Sequence, residues 1–407
     1  MLDLDFVRSQ FPAFSSPVLS GHAFFENAGG SYPCRQVVDR LHRFYTDRKV
    51  QPYGPYPGAQ AGGAEMDEAR ARLAAMMGVA PEAVSFGPST SANTYVLAQA
   101  VRGWLKGAGG ALVVTDQDHE ANAGVWRRLA DEGIEVREWQ VDRATGSLDP
   151  AALARLLADG KVRLLCFPHC SNVIAEINDV AAICAMARAA GARTVVDGVS
   201  YAPHGFPDFA ALGADCYLFS AYKTYGPHQG IMVLREDFGF ELPGQGHYFN
   251  HATLSKRHTP AGPDHAQIAA CAGMADYVDA LAAHHGISGD ALVRSRGVHH
   301  LMRAQEVAVI QPLLEYLAAR NDLRLLGPRD SARRAPTVAV DLGRAAEPVS
   351  EALGREGIAC WAGDFYAVRP LQALGIDLGK GVLRMSATHY TSADEVARLV
   401  AALERVL

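Results

Sequence analysis

The sequence has no apolar run of roughly 18 residues free of charges and turn formers, the minimum for a bilayer-crossing helix, so no membrane association is expected. Its start, MLDLDFVRSQF, lacks the basic residues and apolar run of a secretory leader, and a cytoplasmic location is expected. Positive charge is not in excess. Against 44 Asp and Glu stand 38 scattered Lys and Arg, a formal net charge of −6, which argues against a nucleic-acid partner. None of the seven cysteines (34, 166, 170, 184, 216, 271 and 360) forms a C-x-x-C pair. An odd, dispersed set speaks for free thiols in a reducing compartment and against a disulfide framework, and no metal site is expected. Low-complexity tracts and repeats of about 20 to 50 residues are also missing.

What is present is the pattern of a large α/β protein. At 407 residues two or three compact units are expected. ALVVTD (111–116), IEVREWQV, VRLLCFPH (162–169), RTVVDG, DCYLFS and GIMVLR read as short strands. Helical segments separate them: one over 125–133 ended by Gly133, one over 150–158, and one capped by Asn178 or Asp179 that runs to about Ala190. Strands that are apolar throughout suit a mainly parallel sheet covered on both faces. From about residue 264 the pattern changes to long helices over 264–285 and 289–320. Strands at 322–326, 336–342 and 382–386 and a last helix over 392–405 follow, as in a smaller α+β domain. In parallel sheets ligands gather beyond the carboxyl ends of the strands. His119, Asn172, Asp197 and Lys223 all fall at such ends.

FSAYKTYGPHQGIMVLRE sets Lys223 directly after an apolar strand. Lysine is seldom fully buried unless it is paired or used, and desolvation makes its amine a nucleophile able to form a Schiff base. A lysine snorkelling from a strand end is the alternative. In VVDGVSYAPH, 26 residues earlier, Asp197 ends another apolar strand. It is either the cap of an Asp-Gly turn or the buried carboxylate that keeps a pyridinium nitrogen protonated, as pyridoxal 5′-phosphate (PLP) requires. FGPSTSANTYVLA places Ser89, Thr90 and Ser91 where a loop becomes a helix, a plain N-cap or a phosphate site. His119, in QDHEANAGVW, offers a flat ring for a pyridine face, or serves structure alone. Asn172, in HCSNVIAEIND, can reach a phenolic oxygen from its polar turn.

Together these motifs resemble the fold-type I PLP enzymes of the class-V aminotransferase group, in particular the cysteine desulfurase/selenocysteine lyase branch. The resemblance runs from FFENAGGS to VLRMSATHYTSADEVARLV. It implies a large PLP-binding domain (21–285) with a mainly parallel seven-stranded sheet, a smaller α+β C-terminal domain (286–407), and an N-terminal segment (1–20) packed on the small domain. By the same resemblance Lys223 carries the Schiff base, Asp197 pairs the pyridinium and His119 stacks on the ring. Thr90, Ser91 and Ser220 bind phosphate, and Asn172 touches cofactor or substrate. Arg384, in LRMSA, and Asn27 contact the substrate, the arginine through its carboxylate. Thr259, in RHTPAG, matches a threonine that reaches the phosphate of a neighbouring subunit, which implies a homodimer with shared active sites.

Three positions depart from the family pattern. Tyr366, in WAGDFYAVRPL, stands where desulfurases carry the cysteine that takes up sulfur. Tyr222 replaces a histidine and remains able to hydrogen-bond phosphate, while Ser200 replaces a glutamine and leaves space near the ring. The expected activity is therefore Cβ–S cleavage of cysteine or an S-substituted cysteine without an enzyme persulfide. Tyr366, Asp364 and Trp361 would line the substrate pocket, and Tyr366 or His247 would protonate the leaving group. A class-V aminotransferase or epimerase is the alternative, with Arg257 and Arg369 as unassigned second carboxylate binders. A non-catalytic PLP-fold binding protein is the third possibility.

Overall fold

In the computed structural model, which describes residues 1–260 and 262–407, the apolar runs of the first half assemble into one sheet. Its strands are β1 (Val84–Gly87), β2 (Ala111–Thr115), β3 (Glu135–Trp139), β4 (Val162–Pro168), β5 (Arg193–Asp197), β6 (Cys216–Ser220) and β7 (Gly230–Leu234). Their order is β1-β7-β6-β5-β4-β2-β3. The strands from β6 to β3 all pair in parallel, because helices cross over between them. Only the short stretch 221–229 joins β6 to β7, so β7 returns antiparallel to both β6 and β1. Strands β2, β6 and β7 are buried along their whole length, as continuous apolar runs require. One apolar layer, with Phe167, Val196, Phe219 and Ile231, covers one face; another, with Leu112, Val114, Leu164 and Leu218, covers the other.

Two helices matter for the site. Helix α1 (Thr90–Ala108) is capped by Ser89, whose Oγ accepts from the Ala92 amide at 3.1 Å. Helix α2 (Glu120–Arg127) begins directly after His119 and gives way to a tighter turn, Arg128–Glu132, before Gly133 at φ 81°. The helical segment expected over 125–133 thus starts five residues earlier. Asp179, not Asn178, caps the helix Val180–Ala189, accepting from Ala182 at 3.0 Å.

A second sheet, all antiparallel, contains β8 (Arg324–Leu325), β9 (Thr337–Asp341), β10 (Trp361–Gly363) and β11 (Val382–Ser386) in the order β10-β11-β9-β8. The pair Ala23–Phe24 and Ile358–Ala359 adds a short parallel ribbon. The hydrophobic cores change over within helix α3 (Ala291–Ala318). Val298 and Met302 pack into the large domain, Val309, Ile310 and Leu313 into the small one. The expected division at 285/286 precedes that helix. Ala23 and Phe25 also belong to the small-domain core, although they precede the large sheet in the chain. The N-terminal segment touches both units: Val7 and Phe11 enter the large core, while Arg8 pairs at 2.8 Å with Glu395 in the first turn of the last helix, α4 (Ala393–Val406).

Candidate active site

The carboxyl ends of β2, β4, β5 and β6 open onto a cavity of about 260 Å³. Ser89, Thr90 and Ser91 line it at one end, where the N-terminus of α1 presents unpaired amides. Thr90 Oγ1 and Ser220 Oγ lie 2.8 Å apart, so the end of β6 and the start of α1 offer two adjacent hydroxyls. Gly230 allows this closeness. A Cβ there would meet the Ser89 carbonyl carbon at 2.3 Å and the Thr90 nitrogen at 2.5 Å. Ser200, Tyr222, His119, Asn172, Asp197 and Lys223, all expected, line the same cavity.

Burial sets the charge state of each group. Lys223 sits on the single turn that follows β6, and desolvation pushes its ammonium down to about 8, helped by Arg384 and opposed by Asp197. Asp197 is raised to about 6, mainly by burial, although its Oδ1 accepts from the Val199 amide at 2.8 Å. A carboxylate so placed gains from a cationic N–H partner. His119 is pushed down to about 3 by burial and by the nearby Lys223 and Arg384, so its ring is neutral. Its Nδ1 accepts from Ala121 at 3.0 Å, which fixes the ring plane.

A wider hollow of about 610 Å³ adjoins the first and shares His119, Asn172, Tyr222 and Lys223 with it. Trp361, Asp364, Phe365, Tyr366 and Arg384 line its far wall. Along β11 the side chains alternate: Leu383 and Met385 face the small-domain core, so Arg384 faces the hollow. Phe365 lies over its guanidinium at 3.8 Å, and Glu26 Oε1 accepts from Nη2 at 2.6 Å. The wall is held to the large domain by two bonds, from Asn172 Nδ2 to the Phe365 carbonyl (2.9 Å) and from the Glu120 amide to the Tyr366 carbonyl (2.8 Å). Phe365 and Tyr366 both have φ of 54°, a left-handed conformation costly for such side chains.

Several expected residues fall elsewhere. Asn27 lines neither cavity. Its Nδ2 donates to the Ser386 carbonyl at 2.8 Å and its Oδ1 accepts from the Tyr390 hydroxyl, so it ties the chain just after the Ala23–Phe24 ribbon to the end of β11. Glu26, one residue earlier, faces the hollow instead. Thr259 and His247 line a separate hollow of about 570 Å³ and are not in the cavity of their own chain. Arg257 is taken up by the carbonyls of Gly239, Leu242 and His251, and Arg369 pairs with Glu120 at 3.1 Å, so neither offers a free second clamp. His228, stacked on Tyr222 at 4.8 Å, enters the first cavity without having been singled out in the sequence. Its place five residues after Lys223, in KTYGPH, was the available signal.

The residues fit PLP. A buried amine faces a buried carboxylate across the cavity, a helix N-terminus with hydroxyls closes one end, and the Asn172 Oδ1 is buried without a partner. Fold and site together define a PLP-dependent enzyme of fold type I. Comparison with known proteins agrees. The chain is 31% identical to an aminotransferase-like protein of Gibberella zeae over 98% of both sequences. It is 30% identical to a cysteine desulfurase of Pectobacterium atrosepticum over 98% of this chain and 97% of the other. A solved cysteine desulfurase from Thermococcus onnurineus superposes with a TM-score of 0.85 over 100% of this chain and 98% of its own, at 21% identity, a likeness of fold. The aminotransferase class-V profile matches residues 23–399, and the chain belongs to that family.

Proposed function

We propose that the protein is a PLP-dependent lyase that breaks the Cβ–S bond of cysteine or an S-substituted cysteine without forming an enzyme persulfide. The observation that carries this is the lining of the hollow beside Lys223: among the described residues it contains Tyr366, Trp361 and Asp364 but no cysteine. Cys360, six residues before Tyr366, and Cys170, in the first cavity, are both pushed up to about 12 by burial. Neither supplies the accessible thiolate that sulfur transfer needs.

PLP, when bound, withdraws electrons from the substrate's Cα. Lys223 Nζ would hold the cofactor and, once released from it, take the Cα proton. Arg384 would hold the substrate carboxylate by its fork. Asp197 would keep the ring nitrogen protonated, and His119 would press its neutral ring against the cofactor face. Thr90, Ser91, Ser220 and Tyr222 would bind the phosphate, with Asn172 and Ser200 beside the ring. Tyr366 would give a proton to the departing sulfur. The sulfur then leaves as a thiol, and the three-carbon remnant takes up water and departs as keto acid and ammonia.

The test is to incubate purified holoenzyme with L-cysteine, cystine and S-substituted cysteines and to assay keto acid, ammonia and sulfide or thiol. Keto acid and ammonia appearing in step, with no amino acceptor added, is the expected result. Persulfide on the enzyme, or turnover that requires a keto acid acceptor, would overturn it.

A further inference from the structure

The wall of the hollow beside Lys223 carries a guanidinium, Arg384, and a carboxylate, Glu26, already bonded to it. Arg384 is buried within β11, its guanidinium covered by Phe365 and its Nη2 held by Glu26 at 2.6 Å. Two polar atoms of this pair are buried without partners: a donor, Arg384 Nε, and an acceptor, Glu26 Oε2. The Glu26 backbone is fixed against the small-domain sheet by its bridge to Ser386 and by the bond from the Phe25 amide to the Ala359 carbonyl. Its side chain, 18% exposed, is held among the described residues by the bond from Arg384 Nη2 alone. A Cβ at position 29 would lie 2.6 Å from Glu26 Oε1, so Gly29 leaves the space that the carboxylate fills.

These contacts have a consequence for any ligand. A substrate carboxylate that takes the fork of Arg384 including Nη2 competes with Glu26 for the cation. A half-buried carboxylate left without a partner is unfavourable, so binding favours a ligand that brings a replacement donor. We infer that Glu26 is a specificity-determining residue: it holds Arg384 in the empty site and, when the substrate carboxylate arrives, turns to a cationic or N–H donor group on the substrate's side chain. The substrate class is then an amino acid carrying an amine or amide beyond its β-sulfur, in preference to apolar or anionic side chains. This deepens the lyase proposal and rests on it for the position of the sulfur.

The test uses holoenzyme and three probes that differ in the group on sulfur: S-(2-aminoethyl)-L-cysteine, S-methyl-L-cysteine and S-carboxymethyl-L-cysteine. Dissociation constants are measured by the change in cofactor absorbance and by calorimetry, apart from turnover. Wild type is expected to bind them in that order, with about tenfold or more between first and last. Glu26→Gln, which keeps shape and removes charge, should bring the three to within about threefold, and Glu26→Asp should keep the order. Equal binding of all three by wild type overturns the inference whether or not a variant folds. So does an order kept by Glu26→Gln, or one abolished only by Asp364→Asn, the other acid of the hollow. Binding in the expected order with no keto acid released removes the lyase and leaves Glu26 its role; keto acid released without any order does the reverse.

Discussion

In the proposed reading Lys223 adds to the aldehyde of PLP, for which it has to be uncharged, and its burial favours that form. An ordinary lysine, with a pKa near 10.4, is less than about 1% neutral at pH 8. Burial holds Lys223 at about 8, where half of it is neutral. The sign follows: for a cation whose pKa is lowered, the reactive neutral form grows as pH rises through the lowered value. The rate at which apoenzyme captures PLP should therefore rise between about pH 7 and 9 and level off there. An inflection at the ordinary lysine value would show that the amine is not desolvated. Lys223→Ala should capture no PLP covalently at any pH, read as loss of the bound-imine band near roughly 420 nm. At this scale the sequence was legible because Lys223, Asp197 and His119 are polar residues standing next to apolar strands, where a charge without a task is uncommon. Glu26 was not legible. In FFENAGG two adjacent polar residues compete for notice, and only the strand-like alternation of side chains decides that one faces the hollow and the other the frame.

At the scale of elements, the proposed phosphate seat depends on how closely β7 and the start of α1 approach. Gly230 is the hinge of that contact, since a methyl group would push into both the Ser89 carbonyl and the Thr90 amide. Gly230→Ala should cost about 1 to 3 kcal/mol of stability, the usual range for overpacking, read as a lower Tm. It should also speed the loss of PLP on dialysis, because α1's first turn moves from Ser220. A variant that melts lower but keeps its PLP would separate the fold's need for glycine from the cofactor's. Strands β2, β4, β5, β6 and β7 were readable as apolar runs and β3 from its place between them, whereas β1, four residues long, was not legible as a strand. Strand β10 was not, being three residues long and partly exposed, with Trp361 open to solvent on a sheet edge. Yet β10 and the turn after it carry Trp361, Asp364, Phe365 and Tyr366 to the hollow. That wall depends on long-range bonds, Asn172 to Phe365 and Glu120 to Tyr366, that no local pattern announces.

Across the whole molecule, Thr259 lies apart from the cavity of its own chain that holds Lys223. Thr259 lies in the hollow of about 570 Å³ with His247, Lys256 and Tyr53, and aromatic side chains of Tyr56, Tyr248 and Phe249 are exposed. Exposed aromatics of this kind suit a surface that another protein covers. We propose a two-fold dimer in which Thr259 completes the phosphate seat of the partner, a geometry in which each site draws residues from both chains. Such sharing is separable by complementation. Lys223→Ala disables the site of its own chain, and Thr259→Ala weakens the seat in the other. In a heterodimer of the two, one site has a lysine-deficient chain and a threonine-deficient partner, while the other takes its lysine and its threonine from unaltered positions. Unfolding and refolding an equal mixture should therefore regain about one quarter of wild-type activity, above the sum of the two variants alone, since half of the dimers are mixed and each has one intact site. Sedimentation should report a species of twice the chain mass throughout. A mixture no more active than its parts, at that mass, would leave Thr259 to its own chain, bonded to the Ser255 carbonyl at 3.1 Å as a structural residue.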